Sequence, residues 1–220
     1  MKVNMLSDSL LADYASGAMP APVALALATH VSLNDAARHA YRDATMLGGA
    51  LLERLEGLEM TDGALDETLA RLDREGDEEA GMVGTAFDAE TRALVPEPLR
   101  AYLPASLRDL EWRQVVAGVE EFRLSPAPRG YKIALLRIAP GRAMPRHSHR
   151  GIEYTVVLDG AYDDKGGIRL ERGDLCEATP EDRHQPVADP EKGCLCLIVL
   201  DAPLRLSGLV GALINPFLRH

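Results

Sequence analysis

Hydrophobic residues change their spacing partway along the 220-residue chain. Up to about residue 75 they recur every three or four positions, the period of a helix with one apolar face. Leu10, Leu11 and Tyr14 follow Ser7 or Asp8, either of which can cap a first helix, and Gly17 ends it. Pro20 and Pro22 open a second, Ala-rich segment that runs to about Leu33. Asn34 or Asp35 caps a third, whose Ala37, Ala40, Tyr41, Ala44, Leu51, Leu52 and Leu55 fall roughly on one face. Gly48 and Gly49 interrupt it, and Gly57 is its expected end. Leu65, Leu69 and Leu72 mark a fourth, short helix to Arg74.

From about Glu111 the period shortens. Val115–Val119, Glu121–Leu124, Tyr131–Ile138, Tyr154–Leu158, Ile168–Leu170, Cys194–Leu200 and Leu204–Leu206 read as strands, parted by Gly, Pro and Asp turns. Short strands at such spacing predict a sandwich or barrel. Between the two textures lies a charged, Gly-containing stretch, followed by a short helix near Pro96–Leu103. The chain therefore divides into a helical domain (residues 1–76), a linker (77–95) and an all-β domain (96–220).

Charge sharpens that division. Residues 1–80 hold 15 acidic and 6 basic side chains, a net of −9, which leaves the remainder near neutral. A whole-chain charge of −10 argues against direct nucleic-acid binding, which needs a basic surface. Three cysteines are too few and too clustered for a disulfide framework, which fits a reducing compartment. No apolar run reaches the roughly 20 residues of a membrane span, and the N-terminus lacks a signal-peptide core. The expected location is cytoplasmic, with no membrane partner.

The candidate chemistry sits in the β half. His147 and His149 are two apart, so in a strand both imidazoles face one side. Glu153 shares their parity if the segment stays extended, and Gly151 allows a bend. His184 lies farther on, after Gly173 and Pro180. Three imidazoles and a carboxylate suit zinc, iron, manganese, nickel or copper. Ligand type alone does not choose among them; one divalent ion is expected, with zinc put first. Tyr154 should point away from this group. Cys194 and Cys196 share a strand face as small buried apolar residues, Cys176 could lie near the site, and Asp163-Asp164 reads as a solvated turn. Arg146 and Arg150 should point outward.

These residues carry a resemblance. Gly141-x5-His147-x-His149-x3-Glu153-x6-Gly160 is similar to the first cupin motif, with every spacing intact. Gly173-x6-Pro180-x3-His184 resembles the second, without the usual Gly between Pro and His or the Asn that often follows. The resemblance implies a conical β-barrel, or jelly roll, with the metal inside. Residues 7–17, 28–33 and 201–219 are similar to ChrR-type anti-sigma factors, which join a helical zinc-binding domain to a C-terminal cupin. That similarity implies an α + β multidomain chain with a helical bundle of about four helices. It also implies sequestration of an extracytoplasmic-function sigma factor, with release under oxidative stress through the cupin. An acidic helical domain would attract a basic partner.

One departure matters. The family's helical domain holds zinc through a His near the first helix and a His-x3-Cys-x2-Cys run. Here the run reads His30-Val-Ser-Leu-Asn34-Asp-Ala-Ala37, and Met5 stands about where the first His belongs. One imidazole cannot hold structural zinc, so none is expected in this half. Asn34 is then a helix cap, and His30 a vestige or a capping donor. Besides the regulator, two readings stay open. One is a metal-dependent cupin enzyme, such as a dioxygenase, with the helices as a packing or homodimerisation element. The other is a storage or scaffold cupin.

Overall fold

The computed structural model describes residues 2–3, 8–79, 86–164 and 167–206. Ser7, residues 80–85 of the expected linker and the chain beyond 206 lie outside the described residues. The helices are α1 (Asp8–Ala15), α2 (Ala21–Leu33), α3 (Asp35–Leu52), α4 (Ala64–Glu79), α5 (Ala89–Leu94) and α6 (Glu97–Arg100). The strands are β1 (Lys2–Val3), β2 (Arg113–Val116), β3 (Val119–Arg123), β4 (Lys132–Ile138), β5 (His147–His149), β6 (Glu153–Asp164), β7 (Ile168–Glu171), β8 (Leu175–Ala178), β9 (Arg183–His184), β10 (Val187–Ala188), β11 (Cys194–Leu200) and β12 (Leu204–Leu206). Apart from β1, which the sequence pattern does not predict, helices precede strands, as the change of period predicts.

The larger antiparallel sheet runs β1-β8-β6-β11-β4-β3-β2, with β7 and β10 also on β6. A three-stranded sheet, β12-β5-β9, faces it and closes the barrel around the histidines. β6 is the hinge of this arrangement. Its first half pairs with β8 and β11, its second with β7 and β10. Between the halves the register with β11 slips: Cys196 faces Val157 whereas Leu195 faces Asp159. The extra residue, Leu158, makes a bulge that reverses which side chains point inward. At Gly160 the backbone has φ +68°, and a Cβ would stand 2.1 Å from Gly193 O. Only glycine permits that approach.

Two apolar clusters occupy the two faces of the sheet. Val157, Tyr162, Leu170, Cys176, Cys194, Cys196 and Ile198 fill the barrel interior. Tyr154, Val156, Leu158, Leu175 and Leu197 form the other, together with Val23, Leu25 and Leu27 of α2 and Val95, Leu99 and Leu107. Thus α2 is part of the barrel's outer core. Its residues are apolar nearly all round, and a helix of that kind must be buried on several sides. Eight of them are, from Pro22 to Val31.

Three expectations need correction. The stretch expected as linker contains α5 and the end of α4. Asp88 caps α5, accepting from Thr91 N at 2.7 Å, and the Thr91 hydroxyl accepts from Leu107 N at 2.9 Å. Secondly, Val115–Val119 is two strands, turned by Gly118 at φ +77°. Thirdly, Gly48–Gly49 does not break α3, which continues to Leu52. The apolar face expected on α3 is covered only in its first half, where Ala37 is buried and Tyr41 packs on Tyr14 of α1; Leu51 and Leu52 at its end, and Leu65, Leu69 and Leu72 of α4, are exposed.

Candidate metal centre

His147, His149, Glu153 and His184 converge in the barrel, each buried, with one ligand atom apiece inside a 4.8 Å span. The route is less direct than an extended strand. β5 and β9 set His147 opposite His184 in register. The chain then leaves the small sheet at Gly151 and enters the large one at Glu153. Asp201 Oδ1 accepts from Ile152 N at 2.7 Å, where any side chain on residue 151 would collide with it. Glu153 therefore reaches the histidines across the gap between two sheets.

The tautomers follow from the neighbours. Pro145 O can only accept, so His147 Nδ1 carries the proton over their 2.8 Å contact. His184 Nδ1 donates to Asp164 Oδ2 at 2.7 Å. In the neutral rings both Nε2 atoms then carry lone pairs, and they stand 3.0 Å apart. Two facing lone pairs repel unless a cation lies between them. Neither ring nitrogen of buried His149 has a hydrogen-bond partner, and its Nε2 is 3.4 Å from Glu153 Oε2. Thr155 Oγ1 donates to Glu153 Oε1 at 2.9 Å, which orients the carboxylate. Orphaned buried nitrogens with lone pairs converging beside a carboxylate fit a divalent ion, whose donors lie about 2.0–2.2 Å from it.

The electrostatics agree. Burial alone would raise the Glu153 carboxyl, but the neighbouring imidazoles, His149 first and then His147 and His184, hold it at about 2. Desolvation lowers His147. Desolvation also works to lower His149, yet Glu153 beside it raises the ring overall. The site keeps an anionic carboxylate among imidazoles, as a metal centre requires.

Asp164 was expected to be a solvated turn and is instead buried against His184. By strict alternation from Glu153 it should face away, and the bulge at Leu158 turns it inward. Tyr154 points to the outer core, as expected. Cys176 lines the interior near Tyr162, and burial pushes its thiol up to about 12. Cys194 and Cys196 are buried apolar filler. Arg146 and Arg150 are exposed. Beside the ligands opens a cavity of about 450 Å³, counting its part open to solvent, walled by Leu136, Ile138, Met144, Pro186, Cys196 and Ile198.

In the helical half, Asn34 Oδ1 accepts from Ala37 N at 3.0 Å and caps α3, as its sequence predicts. His30 takes neither expected role. Its Nδ1 meets Gly173 O of the barrel at 2.6 Å. Among the described residues no helix is long and apolar enough to cross a membrane.

Residues 103–203 match the family model described as the ChrR cupin-like domain. The chain is 38% identical to the anti-sigma-E factor ChrR of Cereibacter sphaeroides over 215 residues, covering 97% of each. Its fold is similar to the crystal structure of Rhodobacter sphaeroides SigE in complex with the anti-sigma ChrR, with a TM-score of 0.74 and 34% identity. That match covers 89% of this chain and 97% of the other.

Proposed function

The chain belongs to the ChrR family of anti-sigma factors, and from that premise we propose that it sequesters an extracytoplasmic-function sigma factor on the uncovered face of α3 and α4. One observation carries this reading. Met46, Leu47, Leu51, Leu52, Leu55, Leu58, Met60, Leu65, Leu69 and Leu72 are each between 50% and 93% exposed, and all fall within residues 46–72, from the end of α3 through the connecting segment into α4. An apolar run of that extent marks a surface that a partner covers. Acidic residues surround it, so a basic partner would be drawn in at long range.

The barrel is the sensing half of this reading. His147, His149, Glu153 and His184 would hold one divalent ion, zinc first, with Asp164 and Pro145 O fixing two of the rings. When bound, the ion would supply the positive charge that the facing lone pairs lack. An oxidant or small molecule entering the adjoining cavity would meet it there, in keeping with release under oxidative stress. The four residues also suit metal–oxygen chemistry beside Tyr162 and Cys196 of the cavity wall, but family membership favours regulation over catalysis.

The test is co-expression with the extracytoplasmic-function sigma factors of the same genome. A stable complex with one of them, dissociated by oxidant only when the metal site is intact, is the expected result. Binding to none of them would overturn the reading.

A further inference from the structure

The C-terminal end of α2 rests on the turn between β7 and β8. His30 is 1% exposed and meets Gly173 O at 2.6 Å. Gly173 has φ +89°, and a Cβ on it would stand 2.9 Å from Leu33 O. The turn is thus shaped for a helix end to approach its backbone. Arg172, one residue earlier, donates to Ala93 O at 2.7 Å and to Leu94 O at 3.2 Å, at the end of α5. Two helices therefore converge on two adjacent turn residues.

The turn is bonded to the strand that carries Glu153. Gly173 N donates to Val157 O at 2.9 Å, and Val157 N donates to Asp174 O at 3.1 Å. On the helical side, His30 O accepts from Asn34 N at 2.8 Å, and Asn34 caps α3. Arg38 of α3 reaches back to Ser32 O at 2.9 Å and Val31 O at 3.3 Å. A continuous set of hydrogen bonds thus runs from β6 through Gly173 and His30 to the start of α3.

We infer that His30 is a positioning residue: its bond to Gly173 fixes the angle at which α2, and the exposed apolar face of α3 behind it, stand on the Glu153 strand. The importance of that angle rests on the reading of α3 as a partner surface. The angle itself does not, so it is tested on the protein alone. Apolar contacts of α2 give affinity for the barrel without direction. A buried hydrogen bond to one carbonyl supplies the direction, because leaving that carbonyl unpaired is costly.

The experiment compares the full chain with His30→Leu, which keeps bulk and removes the donor, and His30→Gln, whose amide can still donate. Amide hydrogen exchange is read in α2 and α3, with β4 and β11 as the internal reference. His30→Leu should raise exchange in α2 and α3 about tenfold, the equivalent of one buried hydrogen bond, and leave the reference strands unchanged. His30→Gln should restore much of the protection. Gly173→Ala, which pushes on Leu33 O from the barrel side, should reproduce the His30→Leu pattern. Nitroxides at Leu47→Cys and Ile168→Cys, both exposed sites, should report one narrow distance that broadens in His30→Leu and narrows again in His30→Gln. Unchanged exchange in α2 and α3, or protection lost equally across the barrel or through global unfolding, would overturn the inference.

Discussion

His184 Nδ1 lies 2.7 Å from Asp164 Oδ2, and both side chains are buried. The carboxylate holds the proton on Nδ1 and so turns Nε2 toward the other ligands. Partners of this kind orient a ligating imidazole and raise its basicity. Asp164→Asn should therefore weaken metal binding about 10–100-fold without removing a ligand. Competition against a chelator measures this. Affinity equal to the wild type would show that the carboxylate does not tune the site.

Metal content should be one equivalent per chain, lost in His147→Ala or His184→Ala. Elemental analysis of purified protein decides it. Two equivalents in the wild type would mean that the helical half binds an ion despite lacking the cysteines of its family.

Exposed leucines on α3 and α4 should matter for the partner and not for the fold. Leu51→Asp with Leu69→Asp should leave stability within about 0.5 kcal/mol, as expected for surface sites. The same pair should weaken sigma-factor binding by roughly tenfold or more if these leucines anchor the interface. Calorimetric titration and a thermal melt together separate the two effects.

Leu27 of α2 is fully buried in the core it shares with Val156 and Leu158 of β6. Truncation to Ala should cost about 2–5 kcal/mol. Because that core is shared, α2 and the barrel should denature in one global transition, with local opening of α2 visible only by exchange under native conditions. Helical circular dichroism and Trp112 fluorescence should give coincident denaturation curves, in the wild type and in Leu27→Ala. Separate transitions would show that α2 docks on an independently stable barrel.

Glu121 is buried beneath Arg113, Arg123 and Lys132, with Arg123 Nε at 2.8 Å and Arg113 Nη2 at 3.2 Å. Burial opposes its ionised form, but the hydrogen bonds and charges of Arg123 and Lys132 prevail, so its folded pKa lies below the ordinary Glu value. Such a group stabilises the fold above its unfolded pKa, and that stability is lost as pH falls through the folded one. Glu121→Gln should cost about 1–3 kcal/mol near neutrality and flatten the decline of stability below about pH 4.5. Urea denaturation across pH 3–7 would register both changes. A variant with the wild-type pH slope would assign the acid sensitivity to other carboxylates.

Much of the candidate site was legible because its residues sit at fixed spacings. His147 and His149 are two apart, and Glu153 and His184 complete a gapped pattern that local chain geometry largely preserves. Asp164 was illegible because its direction depends on the Leu158 bulge, and a single inserted residue reverses every later side chain on the strand. The docking of His30 was equally hidden. Gly173 is 143 residues away, and nothing local to either residue points to the other.

Sequence alone determined that helices come before the main run of strands, the two textures, the Asn34 cap and the grouping of His147, His149, Glu153 and His184, since propensity, capping and motif spacing act over a few residues. It also placed an apolar face on α3 and α4, without saying whether the chain itself would cover that face. Tertiary structure decided that α2 belongs to the barrel's outer core, that α5 occupies the expected linker, and that the α3 and α4 leucines stay exposed. Burial is decided by which surfaces meet. An apolar stripe reads the same in sequence whether it faces a core, a partner or water.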